Sequence, residues 1–254
     1  MRKPIQKNLL IVLCSYIIIA CSDGANPTQE YPFLKKETEF KIDVPEPSGL
    51  ALSQDKTFLW TVSDNTNRVY KIDFEGNILG ELNYTGNDLE GIIQSPKDST
   101  IWVAEEYLSQ MVQLDVIGNV LNYVNINDAG GENGLEGICL DPTNNHFYLL
   151  KEKSPGRLIE LDENFDLLQF EQINFANDFS GISYDSKNQV LWILSDQNEE
   201  VYEYSLSGSV LNTYSISVNK AEGIAIDSEN DLIYIVSDSA EKLYIFSIQR
   251  NKEQ

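Results

Sequence analysis

Histidine and cysteine are scarce in this 254-residue chain: one histidine, His146, and three cysteines, Cys14, Cys21 and Cys139. A Cys/His zinc cage is therefore excluded, and so are the common Cys-x-x-Cys, Gly-x-Ser-x-Gly and His-Glu-x-x-His motifs, none of which occurs. Positive charge is also in short supply, with 18 Lys and Arg against 40 Asp and Glu and a net charge of −22. Nucleic acid and anionic headgroups are poor partners for such a surface. No segment offers a convincing helical period.

The one long uncharged apolar run, Leu9 to Ala20, follows the cationic start Met1-Arg2-Lys3-Pro4-Ile5-Gln6-Lys7 and is too short for a permanent bilayer span. Residues 1–20 read as a signal peptide. The run ends on Ile18-Ile19-Ala20-Cys21, which resembles the bacterial lipobox and implies cleavage before Cys21 and lipidation of its thiol. The expectation is a protein of the bacterial cell envelope, outside the cytoplasm, held to a membrane by its lipid; inner versus outer membrane stays open. Loss of Arg2, Lys3 and Lys7 takes the charge from −22 to −25. Residues 21–37 carry the lipidated end and an aperiodic tether, with Gly24, Pro27 and Pro32. Cys139 is left without a partner and, in Gly137-Ile138-Cys139-Leu140, reads as core filler.

Beyond the tether the chain repeats. Pro47-Ser48-Gly49-Leu50, Leu89-Glu90-Gly91-Ile92, Leu135-Glu136-Gly137-Ile138, Phe179-Ser180-Gly181-Ile182 and Ala221-Glu222-Gly223-Ile224 place their glycines 42, 46, 44 and 42 residues apart. A period in the forties with short alternating apolar runs predicts an all-β, five-bladed β-propeller of four-stranded antiparallel blades over residues 38–248, with 249–254 as a C-terminal tail. The last repeat lacks a fourth strand, which residues 38–44 are expected to supply, closing the ring and removing an exposed edge. A monomer is expected.

Two columns of the repeat matter. Eleven residues after each glycine stands an aromatic, Trp60, Trp102, Tyr148, Trp192 or Tyr234, placed where blades pack on each other. Fifteen residues after it stands an acid: Asp64, Glu106, Glu152, Asp196 and Asp238. Glu90, Glu136 and Glu222 directly precede three of the glycines, with Ser48 and Ser180 in the other two repeats. The start of the first strand and the end of the second share one face of an antiparallel pair, so eight carboxylates should surround the axis there. They are either a solvated rim capping loop amides or a cation site, since converging carboxylates repel unless a cation or protons neutralise them. Oxygen-only ligands suit Ca²⁺.

The five-repeat layout, the Glu-Gly-Ile signatures at Glu90, Glu136 and Glu222, and the pairs Ser63-Asp64, Ser195-Asp196 and Ser237-Asp238 resemble the SdiA-regulated family, over about residues 38–248. That resemblance implies a five-bladed propeller distantly related to NHL repeats and calcium binding, without naming the ligands. It brings no established biochemical activity. The leading expectation is a non-enzymatic calcium-binding propeller that takes a small ligand or protein partner at its acidic face. The alternative is a calcium-dependent hydrolase, phytase-like or lactonase-like. His146 falls at the opposite face, which disfavours a histidine base, and only Lys151, Lys153, Arg157 and Lys220 are near enough to serve a phosphate. A third reading is a scaffold in which metal only rigidifies the fold.

Overall fold

The computed structural model describes residues 32–126 and 134–250. Its strands form five four-stranded antiparallel sheets. Blade 1 is β2 (Pro47–Leu52), β3 (Leu59–Ser63), β4 (Arg68–Ile72) and β5 (Ile78–Thr85), and blade 2 is β6 (Leu89–Gln94), β7 (Ile101–Glu105), β8 (Gln110–Leu114) and β9 (Val120–Asn125). Blade 3 runs β10 (Leu135–Asp141), β11 (His146–Lys151), β12 (Gly156–Leu161) and β13 (Leu167–Ile173); blade 4 runs β14 (Gly181–Asp185), β15 (Val190–Ser195), β16 (Glu200–Ser205) and β17 (Ser209–Ser215). Blade 5 takes β18 (Ala221–Asp227), β19 (Leu232–Ser237) and β20 (Lys242–Gln249) from the C-terminal end and β1 (Phe33–Lys41) from the N-terminal side.

β1 closes the ring as expected, but its bounds differ from residues 38–44. Pairing with β20 runs from Phe33↔Gln249 to Lys41↔Lys242, with a bulge between Lys36 and Thr38. Phe33–Lys36 are therefore ladder and not tether, and Asp43 and Val44 lie past the strand. Lys35, Lys36 and Glu37 are exposed on the outermost strand, so their polarity conceals a strand whose backbone is paired. At the other end Gln249 belongs to β20 rather than to a tail. The expected signal peptide, Cys21 and most of the tether lie outside the described residues.

The cores sit between blades. All five residues of the aromatic column are buried, Trp192 completely. Trp60 packs with Val103 and Val112 of blade 2, while Trp192 packs with Ile233 and Ile235 of blade 5. Cys139 is a buried free thiol in the same kind of layer. The innermost strands approach so closely at the repeat glycines that a side chain is excluded: a Cβ at Gly223 would lie 2.1 Å from the Ser48 carbonyl oxygen, and one at Gly49 2.4 Å from that of Glu90. The axis is pinched there to a void of about 10 Å³, room for about one water. Two mouths result, an acidic one at the starts of the innermost strands and an apolar one at their ends.

Candidate metal centre

The acidic mouth is built by a repeated backbone irregularity. In blades 2, 3 and 5 the pairing of the two inner strands slips between Leu89 and Gly91, Leu135 and Gly137, and Ala221 and Gly223. Each slip is a bulge that breaks the in/out alternation at the intervening glutamate. Leu89, Leu135 and Ala221 go fully into the core, and Glu90, Glu136 and Glu222 line the axial cavity instead.

The second ring is set by the turn after the second strand. Ser63, Ser195 and Ser237 are fully buried, and their Oγ atoms accept the amides of Thr66 (3.0 Å), Asn198 (3.3 Å) and Ala240 (3.3 Å). Each Ser-Asp pair is thus a turn cap followed by a carboxylate held at the mouth. The cavity, about 230 Å³, is lined by Asp64, Glu106, Glu152 and Asp238 together with Glu90, Glu136 and Glu222, so seven of the eight expected carboxylates converge. Asp196 is the exception: it does not line the cavity, and Lys220 Nζ stands between it and the ring, 3.7 Å from Asp196 Oδ2 and 3.8 Å from Glu222 Oε1.

Asp88 and Glu46 belong to the site and do not follow from the two columns. Both precede a repeat glycine by three residues, a column completed by Gly134, Asp178 and Lys220. Backbone bonds tie this column to the outer acids: Glu106 N to Asp88 O (2.9 Å), Glu152 N to Gly134 O (3.3 Å) and Asp238 N to Lys220 O (3.0 Å). Asp88, Glu90 and Glu106 consequently each offer a carboxylate oxygen within 4.8 Å of the others. Asp178, the third acid of that column, is consumed otherwise, accepting Ser195 Oγ at 2.5 Å and the Gln197 amide at 3.1 Å. Three acids in five repeats was the available signal, diluted by a glycine and a lysine in the others.

Charge is compensated unevenly around the ring. Lys220 serves the blade 5 sector, and Lys153 pairs with Glu152 in blade 3. Among the described residues, no Lys or Arg comes within 4.0 Å of Asp64, Asp88, Glu90 or Glu106. Ser48 Oγ donates to Glu90, and the Gly134 amide donates to Glu106 Oε1 at 2.6 Å. Asp64 Oδ1 is buried with no hydrogen-bond partner. Burial, with neighbouring carboxylates adding to it, pushes Glu90 and Glu136 well above the ordinary carboxylate range. Burial likewise raises Glu222 to about 8, against the pull of Lys220, and Asp64 to about 6. Glu106 and Asp238 move the same way. The arrangement is a hard-oxygen cradle whose carboxylates resist ionising together, a repulsion that a divalent cation relieves.

The family model described as SdiA-regulated matches residues 29–247. The chain belongs to the SdiA-regulated family. Solved structures share its propeller fold at low identity. A glutaminyl cyclase from Myxococcus xanthus is 11% identical with a TM-score of 0.66, covering 87% of this chain and 98% of its own. A virginiamycin B lyase from Staphylococcus aureus is 12% identical with a TM-score of 0.54, covering 84% and 99%. A streptogramin B lyase is 18% identical with a TM-score of 0.52, covering 85% and 73%. At such identities the likeness is one of fold. His146, the one histidine, opens β11 at the opposite face and pairs through Nδ1 with Glu160 Oε1 at 2.7 Å.

Proposed function

We propose that this SdiA-regulated propeller binds Ca²⁺ at its acidic mouth and, tethered to the envelope membrane through a lipid on Cys21, presents that mouth to a small ligand or protein partner. The observation that carries the reading is the cluster of Asp88, Glu90 and Glu106, which has no Lys or Arg within 4.0 Å among the described residues, beside the unpartnered buried oxygen of Asp64. Ca²⁺ takes six to eight oxygens at about 2.3–2.6 Å, so oxygens across one shell stand up to about 5 Å apart, a span the three carboxylates meet. Glu136 and Glu222 lie across the same cavity, and waters would complete the shell. The expected ring thus becomes an off-axis site weighted to blades 1 and 2, because lysines already serve the other sectors. A wide, flexible carboxylate set suits Ca²⁺ better than Mg²⁺, which demands shorter distances and an octahedron.

Calorimetry on chelator-treated protein tests the metal reading. Binding to the folded state alone should add about 2.7 kcal/mol at a hundredfold excess over Kd, which raises Tm by roughly 5–10 °C for a domain of this size. Glu90→Gln and Glu106→Gln should each weaken Ca²⁺ binding by at least about tenfold. Absence of any binding up to millimolar Ca²⁺ would make the mouth a solvated acidic rim and sink the proposal.

The anchor is tested separately, by metabolic labelling with a palmitate analogue. Cys21→Ser should abolish the label and release the protein into soluble fractions; unchanged labelling would remove Cys21 from the reading.

A further inference from the structure

From the distribution of exposed apolar side chains we infer that the face opposite the acidic mouth rests on the lipid surface, touching it at four apolar corners of the propeller with the chain entering at the fifth; this rests on the Cys21 anchor proposed above. Four of the outer strands carry an exposed apolar pair in their first residues: Ile78-Leu79 in blade 1 and the pairs that begin at Val120, Leu167 and Val210. The turns just before two of them add Ile117, 63% exposed, and Leu206. All of these positions follow the third strand of a blade, and that strand ends on the face of the Asp141 and Asp185 turns, away from the acids. Among the described residues, only Tyr107 and Leu108 of the exposed large apolar side chains sit in a turn on the acidic face.

The fifth corner has no such pair because the chain enters there. Phe33 opens β1 opposite Gln249, and the neighbouring Ile248 amide bonds the carbonyl of Asp231, in the turn between β18 and β19, at 2.8 Å. The segment from Cys21 therefore joins the propeller on the apolar-cornered face. From Cys21 to Phe33 is 33 − 21 = 12 residue steps, a reach of at most about 40 Å. Four apolar corners and the chain's entry on one face define a plane, which fits a flat bilayer rather than the groove or peptide of a protein partner. The net charge, −22 for the whole chain and −25 without residues 1–20, sets the lipid class, since anionic headgroups repel such a body and zwitterionic ones do not. Contact is thus through shallow apolar insertion beside the acyl anchor, and the acidic mouth points into solvent.

The test uses full-length protein extracted from its host membrane and reconstituted into phosphatidylcholine vesicles. Bimane is placed in turn at Leu79→Cys and Tyr107→Cys, and brominated phosphatidylcholine is the quencher; Cys139 is buried and stays unlabelled. Bimane at position 79 should be quenched about twofold or more, and at position 107 left unchanged. Combining Leu121→Asp, Leu168→Asp and Leu211→Asp should remove the quenching at 79, and Leu211→Asp alone should reduce it. Equal signals at both positions, quenching at 107, or none at 79 would overturn the inference, as would a dimer by sedimentation that shields position 79 without lipid. Palmitate labelling of the same preparation keeps the two readings apart. Label present without quenching at 79 removes the orientation alone, and quenching without label removes the anchor alone.

Discussion

Both faces of the propeller carry carboxylates and treat them in opposite ways. On the apolar-cornered face the aspartates that open the turns are spent on them. Asp185 accepts the amides of Lys187 and Asn188 at 3.0 Å each and the Asn188 side chain at 2.7 Å. Burial alone would raise its pKa, yet these bonds hold it below the ordinary value. Asp73, Asp115 and Asp162 are lowered in the same manner by turn amides and asparagines. On the acidic face the carboxylates have few donors and many like neighbours, and burial drives them up. An acid stabilises a fold when the backbone supplies its donors, and strains it when the fold gathers acids without them.

The faces should therefore respond to pH with opposite signs, which is the largest effect expected. Carboxylates raised in the folded state retain protons that the unfolded chain releases, so calcium-free protein should lose stability as pH rises from about 4.5 to about 8, by a total on the order of 3 kcal/mol. The lowered acids of the other face act below that window: their contribution is complete above about pH 4 and is lost on further acidification. Calorimetric Tm across pH 4–9 with chelator should show the fall, and saturating Ca²⁺ should flatten it. A flat chelated profile would remove the distinction between the faces.

Next in size is Asp185→Ala, which strands buried amides and should cost about 2 kcal/mol in denaturant unfolding whether or not Ca²⁺ is present. The contrasting substitution is Glu136→Gln. It replaces a carboxyl that burial and its neighbours hold protonated with a neutral amide, and should raise the stability of calcium-free protein at neutral pH by about 1 kcal/mol while shrinking the increment that Ca²⁺ adds. Destabilisation without Ca²⁺ would show that the hydrogen bond of Glu136 to Glu106 outweighs the cost of holding it among like neighbours. The smallest effect belongs to Glu163→Gln, in the turn before β13, whose exposed pair with Lys97 at 3.2 Å should be worth no more than about 0.5 kcal/mol.

Much of this architecture is legible in the residues. Five glycines at near-constant spacing require five close approaches, and the aromatic column marks the layers between blades. The acids at Gly+15 follow from a rigid two-strand unit of constant length. β1 was legible in kind but not in extent, because an outermost strand exposes its side chains and Lys35-Lys36-Glu37 carry no apolar pattern. Asp88 was not legible: its column holds Gly134, Asp178 and Lys220 as well, and identity alone does not distinguish an acid that caps a turn, as Asp178 does, from one that faces a cavity.

What the sequence by itself determined is whatever depends on spacing: the number of blades, the order of strands, the place of each acid along its repeat. Only the tertiary structure decided which acids meet. Asp88 comes beside Glu106 through a backbone bond across 18 residues, Glu136 faces Glu90 across a mouth formed by different blades, and Lys220 takes Asp196 out of the ring. The protonation of those groups follows from burial and from charges on other blades, summed through space. A repeat fixes geometry locally, but electrostatics is set by closure of the ring.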